Sequence, residues 1–273
     1  MKVYFKTVSG SAKQFSEDRV LVDKDVYNST TDAWLIDDGI VAVADGVGGN
    51  RAGSVAAQQV CLMLSEYAMP NDADFKNINE RLLEQSRSKE GWHGMATTLT
   101  GICVRKEKAY AFHVGNTRLY SIQAGMYLKQ LTDDDTVVEY LVRTGKITEE
   151  EALTHPKRNE ITACFGGNSG GLLSMKMFDL DIEKQPLYLI TCDGIHESLT
   201  VDAMEDIVAD AHEDWAFAIE QFVSSAKANG STDDCTAVII DCRDRKEVVL
   251  SDGTEISQEP ENSAGSASEL QPA

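Results

Sequence analysis

The run GIVAVADGVGG, residues 39–49, constrains this chain more than any other stretch. Ile40, Val41 and Val43 in an unbroken apolar segment read as a buried strand. That strand ends on a single carboxylate, Asp45, set among glycines. An acid at the tip of a core strand either caps the following turn or waits for a cation.

The same pattern recurs. PLYLITCDG puts Asp193 at the end of another apolar strand, STDDCTAVII puts Asp233 and Asp234 just before a third, and FSEDRVLV puts Glu17 and Asp18 before a fourth. Taken singly, each acid reads as a turn residue that bonds its own backbone. Gathered in one place, they would repel one another unless divalent cations neutralised them. Hard cations such as Mg²⁺ and Mn²⁺ take oxygen ligands and keep several waters, so two or three carboxylates with one backbone carbonyl suffice.

Strand-like stretches recur at 2–9, 19–27, 39–45, 97–105, 108–115, 118–123, 126–131, 172–180, 186–193 and 235–242. Short turns join several of them and favour antiparallel pairing. Helical spacing of apolar residues is confined to about 52–68, 72–88, 202–211 and 213–228. Two helices after the third strand and two after the ninth predict an α+β fold, in which helix pairs cover the outer faces of stacked sheets within one domain, residues 1–243. Residues 133–166 break the strand rhythm with a short helix pair and a basic patch at Lys157 and Arg158, and read as a lid. Residues 244–273 are Ser-, Glu- and Ala-rich without aromatics, so a disordered acidic tail is expected there.

The net charge is −20, from 45 acidic and 25 basic residues. A phosphate backbone or an anionic membrane would be repelled, so neither is an expected partner. The N-terminus lacks the apolar segment of a signal peptide and no apolar run approaches the length of a membrane span, so a cytoplasmic location is expected. Six cysteines occur without a C-x-x-C pair, which argues against structural zinc and against a disulfide scaffold. A monomer is the default expectation.

Seven motifs, in order along nearly the whole chain, resemble the metal-dependent Ser/Thr protein phosphatases of type 2C (the PPM family), especially their bacterial single-domain members. They are KQFSED (13–18), VADGVGGNRAG (43–53), MATTLTGICV (95–104), HVGNTRLY (113–120), the segment that starts LTDDDTVVEY at 131, LITCDGIHESL (189–199) and DDCTAVII (233–240). The resemblance implies a four-layer αββα sandwich of two antiparallel β-sheets flanked by helix pairs. It implies two Mn²⁺ or Mg²⁺ ions, with Asp45 bridging both, the Gly46 carbonyl on one, and Asp193 and Asp233 completing the other. Asp18, and Glu17 through water, would support that shell, and Asp134 would hold a third, weaker ion. The implied activity is hydrolysis of phosphoserine and phosphothreonine esters in proteins by a water that the ions activate, in opposition to a Ser/Thr kinase.

The chain departs from the family pattern in places. Lys13 stands where the family has an arginine that holds the substrate phosphate, which keeps the charge but loses the bidentate fork. Asn116 replaces an aspartate, and Asp135 a histidine. Val47 stands where some members carry a histidine or methionine, so no histidine proton donor is expected there. These departures leave a second reading: a catalytically weak relative that binds phosphoproteins as a regulatory module.

Overall fold

The computed structural model describes residues 1–11, 13, 15–47, 51–167 and 173–243, so the tail expected at 244–273 lies outside the described residues. The chain opens with β1 (Lys2–Val8), whose side chains alternate between half-buried and buried. It continues through the hairpin β2 (Arg19–Val22) and β3 (Asp25–Tyr27), then β4 (Thr31–Leu35), β5 (Gly39–Ala44) and the short β6 (Gly46–Val47). Two helices follow, α1 (Arg51–Leu64) and α2 (Asp72–Ser88). A capping box opens the second: the Asn71 side chain accepts from the Asp74 N–H, and the Asp74 carboxylate accepts from the Asn71 N–H. Next come β7 (Ala96–Thr97), β8 (Leu99–Arg105), β9 (Lys108–Val114), β10 (Arg118–Ile122) and β11 (Leu128–Gln130). The expected insertion carries α3 (Val137–Arg143) and α4 (Glu149–Leu153). The remainder is β12 (Phe165–Gly166), β13 (Lys176–Asp179), β14 (Leu187–Thr191), α5 (Asp193–His196), α6 (Val201–Asp210), α7 (Trp215–Ala228) and β15 (Cys235–Asp241).

Two six-stranded sheets form, in the orders β11-β10-β14-β15-β1-β4 and β13-β9-β8-β5-β2-β3, and β12-β7-β6 make a small third sheet. Every pairing among the named strands is antiparallel. The two-residue period of β5 explains its unbroken apolar sequence. Val41 and Val43 pack with Phe5, Ile102, Ile190 and Val238 between the large sheets. Ile40, Ala42 and Ala44 turn the other way, onto Val60, Leu64, Phe75 and Ile78 of α1 and α2. On the opposite side, Met204, Val208, Ile219 and Phe222 of α6 and α7 cover Leu189 and Ile239. The result is the αββα order of layers, with a core on each of the three interfaces.

Three elements depart from the sequence expectation. Residues 19–27 are not one strand: the chain reverses at Asp23, whose φ of 52° is left-handed, and β3 folds back on β2. Strand β4 carries no apolar alternation and is exposed throughout, yet it forms because β1 offers it a free edge. The segment after β14 is a single helical turn, α5, so Asp193 heads a helix rather than ending a strand.

A close contact sets the geometry of the strand ends. A Cβ on Gly46 would lie 2.4 Å from the backbone carbon of Gly53 and 2.5 Å from its oxygen, so α1 rests directly on the chain just past Asp45. Gly46→Ala is therefore expected to lower stability by at least about 2 kcal/mol, because neither backbone can give way freely. Urea denaturation of the purified protein checks this, and an unchanged midpoint would contradict the contact.

Candidate active site

Asp18, Asp45, Asp193 and Asp233, singled out by sequence, meet at one end of the sandwich. Asp45 follows β5, and its carbonyl oxygen accepts from the Thr98 N–H at 2.9 Å and the Thr97 hydroxyl at 2.8 Å. Its own N–H donates to the Thr98 hydroxyl at 3.1 Å. The paired threonines of MATTLTG thus act as a clamp on the Asp45 backbone. Asp193 begins α5, where the Asn116 side-chain amide donates to its Oδ2 at 3.1 Å. Gly194 is required there because a Cβ would lie 2.0 Å from the Asp234 carbonyl oxygen. The glycines after both acids let a second backbone segment close over the site, which draws carboxylates from distant parts of the chain together.

Asp18 is fully buried and accepts from the Thr236 hydroxyl at 2.6 Å. The Arg19 guanidinium donates to the carbonyls of Ser16 (2.8 Å) and Asp18 (2.7 Å) and to the side chains of Ser54 (2.6 Å) and Gln58 (2.7 Å). It ties the acidic loop to α1. Asp234 is the hub of the loop: its Oδ1 accepts from the Gly10 N–H at 2.8 Å, and its Oδ2 from the Glu17 N–H at 2.8 Å and Lys13 Nζ at 3.0 Å. Its neighbour Asp233 keeps a half-exposed side chain, 52% accessible, whose Oδ1 accepts from Lys13 Nζ at 2.7 Å and from the Asp234 N–H at 2.8 Å.

The electrostatics show the cost of this convergence. Burial, then the Asp234 charge, pushes Asp18 up to about 7, against the hydrogen bond from Thr236. Asp193 rises to about 6 through burial, then the charges of Asp233 and Glu197, while the Asn116 amide works the other way. Asp45 is held well above the ordinary carboxylate range by burial and by Asp193, Asp18 and Asp233. Glu197, at the end of α5, is raised by burial as well. Sequence reasoning gave Glu197 no role, and only its spacing of four residues from Asp193 hinted at one.

The donors suit a hard divalent cation. Glu17 Oε1, Asp18 Oδ1 and Asn116 Oδ1 are buried without a hydrogen-bond partner, which leaves oxygen atoms that an ion or its waters would satisfy. Among the described residues, no three acidic, histidine or cysteine side chains already close on a common point. Backbone carbonyls and waters would have to complete any shell. Lys13, expected on the substrate phosphate, lies instead among carboxylates, 3.0 Å from Glu17 Oε2 as well as against Asp233 and Asp234.

Asp134 is not brought to this group as a free ligand. Arg118 Nε donates to its Oδ1 at 2.9 Å and Nη2 to its Oδ2 at 2.8 Å. A bidentate guanidinium pair engages both oxygens, so Asp134, expected to hold a third ion, stands here as the partner of Arg118. Asp135 also serves the base of the insertion, accepting from the Gly115 N–H at 3.0 Å and from Lys176 Nζ at 2.7 Å. Of the basic patch, Lys157 pairs with Glu160 at 3.0 Å.

The sandwich and its acidic strand ends define a scaffold of the metal-dependent phosphatase class. The chain belongs to the protein phosphatase 2C family, whose model matches residues 14–222. It is 27% identical over 254 residues to the serine/threonine phosphatase stp of Listeria welshimeri, covering 88% of this chain and 96% of that protein. The crystal structure of the Mycobacterium tuberculosis serine/threonine phosphatase PstP aligns with a TM-score of 0.71 and 26% identity, over 88% of this chain and 99% of that one. The catalytic domain of PstP in complex with two manganese ions aligns with a TM-score of 0.69 and 25% identity, over 88% and 99%.

The raised carboxylates dictate a pH dependence. Asp18 and Asp193 keep their protons up to about pH 7 and about pH 6 in the folded state, but release them near pH 4, roughly, when unfolded. Between those limits the folded chain binds more protons than the unfolded one, so stability falls as pH rises. In EDTA, calorimetry is expected to give a higher Tm at about pH 5.5 than at about pH 7.5, and Asp18→Asn should raise the value at the higher pH. A Tm that climbs with pH over this interval would refute the mutual repulsion of these acids.

Proposed function

We propose that the chain is a protein serine/threonine phosphatase that hydrolyses phosphoserine and phosphothreonine esters with the help of two Mn²⁺ or Mg²⁺ ions. The observation that carries this reading is the meeting of Asp45, Asp193 and Asp18, raised by burial and by neighbouring carboxylates, beside buried oxygens that lack partners. In this reading Asp45, the Gly46 carbonyl, Asp193 and Asp233 hold the ions, and Glu17 and Asp18 support them from behind through water. When bound, such ions activate a water toward phosphorus and neutralise the charge of the phosphoryl group.

The chain's own groups then hold and orient. The Asn116 amide fixes the rotamer of Asp193, and the Thr236 hydroxyl fixes that of Asp18. Asp234 fastens the loop that carries Lys13 and Glu17. Lys13 is the cation nearest the acids, and a phosphate drawn there would be met by a point charge rather than a fork.

Among the described residues, the thiol and the imidazoles buried closest to these acids are poor nucleophiles. The Cys192 thiol is fully buried, pushed up by burial and by Asp18, and it donates to the Asp234 carbonyl at 3.2 Å. His113 and His196 are buried against Thr100 and Thr191, at 2.7 and 2.9 Å, and burial lowers the pKa of both. The substrates in this reading are phosphorylated proteins, opposing a Ser/Thr kinase. Cys61, Cys103, Cys164, Cys192 and Cys235 are thiols outside any disulfide, as suits a reducing compartment such as the cytoplasm.

Purified protein is expected to release phosphate from a phosphothreonine peptide in Mn²⁺, to stop in EDTA, and to lose about 100-fold or more of that rate in Asp193→Asn. A small sugar phosphate should turn over far more slowly. A protein that binds the phosphopeptide but releases no phosphate at any Mn²⁺ concentration would be the regulatory module instead.

A further inference from the structure

The Lys13 ammonium stands in a ring of three carboxylates: Asp233 Oδ1 at 2.7 Å, Asp234 Oδ2 at 3.0 Å and Glu17 Oε2 at 3.0 Å. Of the three, Asp233 is assigned above to the ions and Glu17 to their support through water. A monovalent and a divalent cation drawn to the same oxygens repel each other and divide the same lone pairs. Asp233 Oδ1 already accepts from the Asp234 N–H at 2.8 Å, so the ammonium takes what remains of that oxygen's capacity.

The fold does not need Lys13 where it stands. Asp234 keeps two backbone donors, Gly10 N–H and Glu17 N–H, whether or not the ammonium is there. Asp233 is half-exposed and open to solvent. The lysine side chain is itself 29% accessible on a flexible four-carbon stem, so a path to solvent is open.

We propose that Lys13 is a tethered counter-ion that competes with a divalent cation for Asp233 and Glu17, and that metal entry displaces its ammonium toward solvent, where an incoming phosphate can take it up. The proposal rests on the two-ion reading above. It makes metal occupancy and phosphate capture by Lys13 successive states of one side chain. The lysine then sets the concentration of metal the enzyme requires.

Calorimetric titration of the full chain with Mn²⁺ tests it, using the wild type, Lys13→Gln and Lys13→Arg. Removing the charge should tighten Mn²⁺ binding about ten-fold, while Lys13→Arg, which keeps the charge, should stay within about two-fold of the wild type. An independent readout needs no variant: acylation of Lys13 in the wild type, followed by mass spectrometry, should speed up several-fold on adding Mn²⁺, while the exposed Lys76 stays unchanged. Equal Mn²⁺ affinity in wild type and Lys13→Gln, or weaker binding by Lys13→Gln, would overturn the competition and leave the metal centre standing. Unchanged labelling of Lys13 in saturating Mn²⁺ would do the same. Failure of every variant to bind Mn²⁺ would remove the metal reading itself.

Discussion

Repulsion between buried like charges is the constraint around which this molecule is built. Asp18, Asp45 and Asp193 arrive from three separate parts of the chain, and burial and the charges of neighbouring carboxylates raise all three above their ordinary range. An arrangement of that kind persists only if the surrounding structure over-determines it and if a cation is available to relieve it. The two large sheets and their helix pairs supply the first condition. Their apolar interfaces provide the burial that holds strand ends in place against the local electrostatic cost.

The means of holding are mostly backbone. Thr97 and Thr98 grip both backbone groups of Asp45, Asp234 accepts two N–H groups of the loop that bears Glu17, and Arg19 fastens the carbonyls of that loop to α1. The same logic explains the D-G pairs. Glycine admits a neighbouring backbone at Gly46 and at Gly194, and each close approach moves one acid-bearing segment onto another. Lys13 meets three carboxylates as a point charge on a flexible stem, which is why a lysine and a family arginine are not equivalent at that position.

Much of the fold was legible because period and composition coincide with burial. The helix expected at 72–88 occurs with those bounds, opened by its capping box, and the strands at 108–114 and 235–241 fall within a residue of expectation. Strand β4 was not legible. Its stability comes from pairing with β1 rather than from any apolar face of its own, and pairing partners leave no local trace. Asp23 reverses the chain inside an apolar run for a similar reason: φ 52° in a non-glycine residue is tolerated by the sheet, not announced by the sequence.

At the site, residue chemistry and order along the chain were enough to name Asp45, Asp193, Asp233, Glu17 and Asp18, because carboxylates at the ends of apolar strands have few other uses as a set. Residue types alone could not say which acids carry free oxygens. Asp134 and Asp233 look alike in sequence, yet Arg118 closes both oxygens of one while the other stays half-exposed. Nor could they foresee Asp234 as the hub of the loop, or Lys13 turned onto acids rather than toward a substrate. The physical reason is common to all of these. Chemistry and spacing are local properties of the chain, whereas the occupancy of each lone pair depends on partners as far as 224 residues away, which only the closed tertiary structure brings within reach.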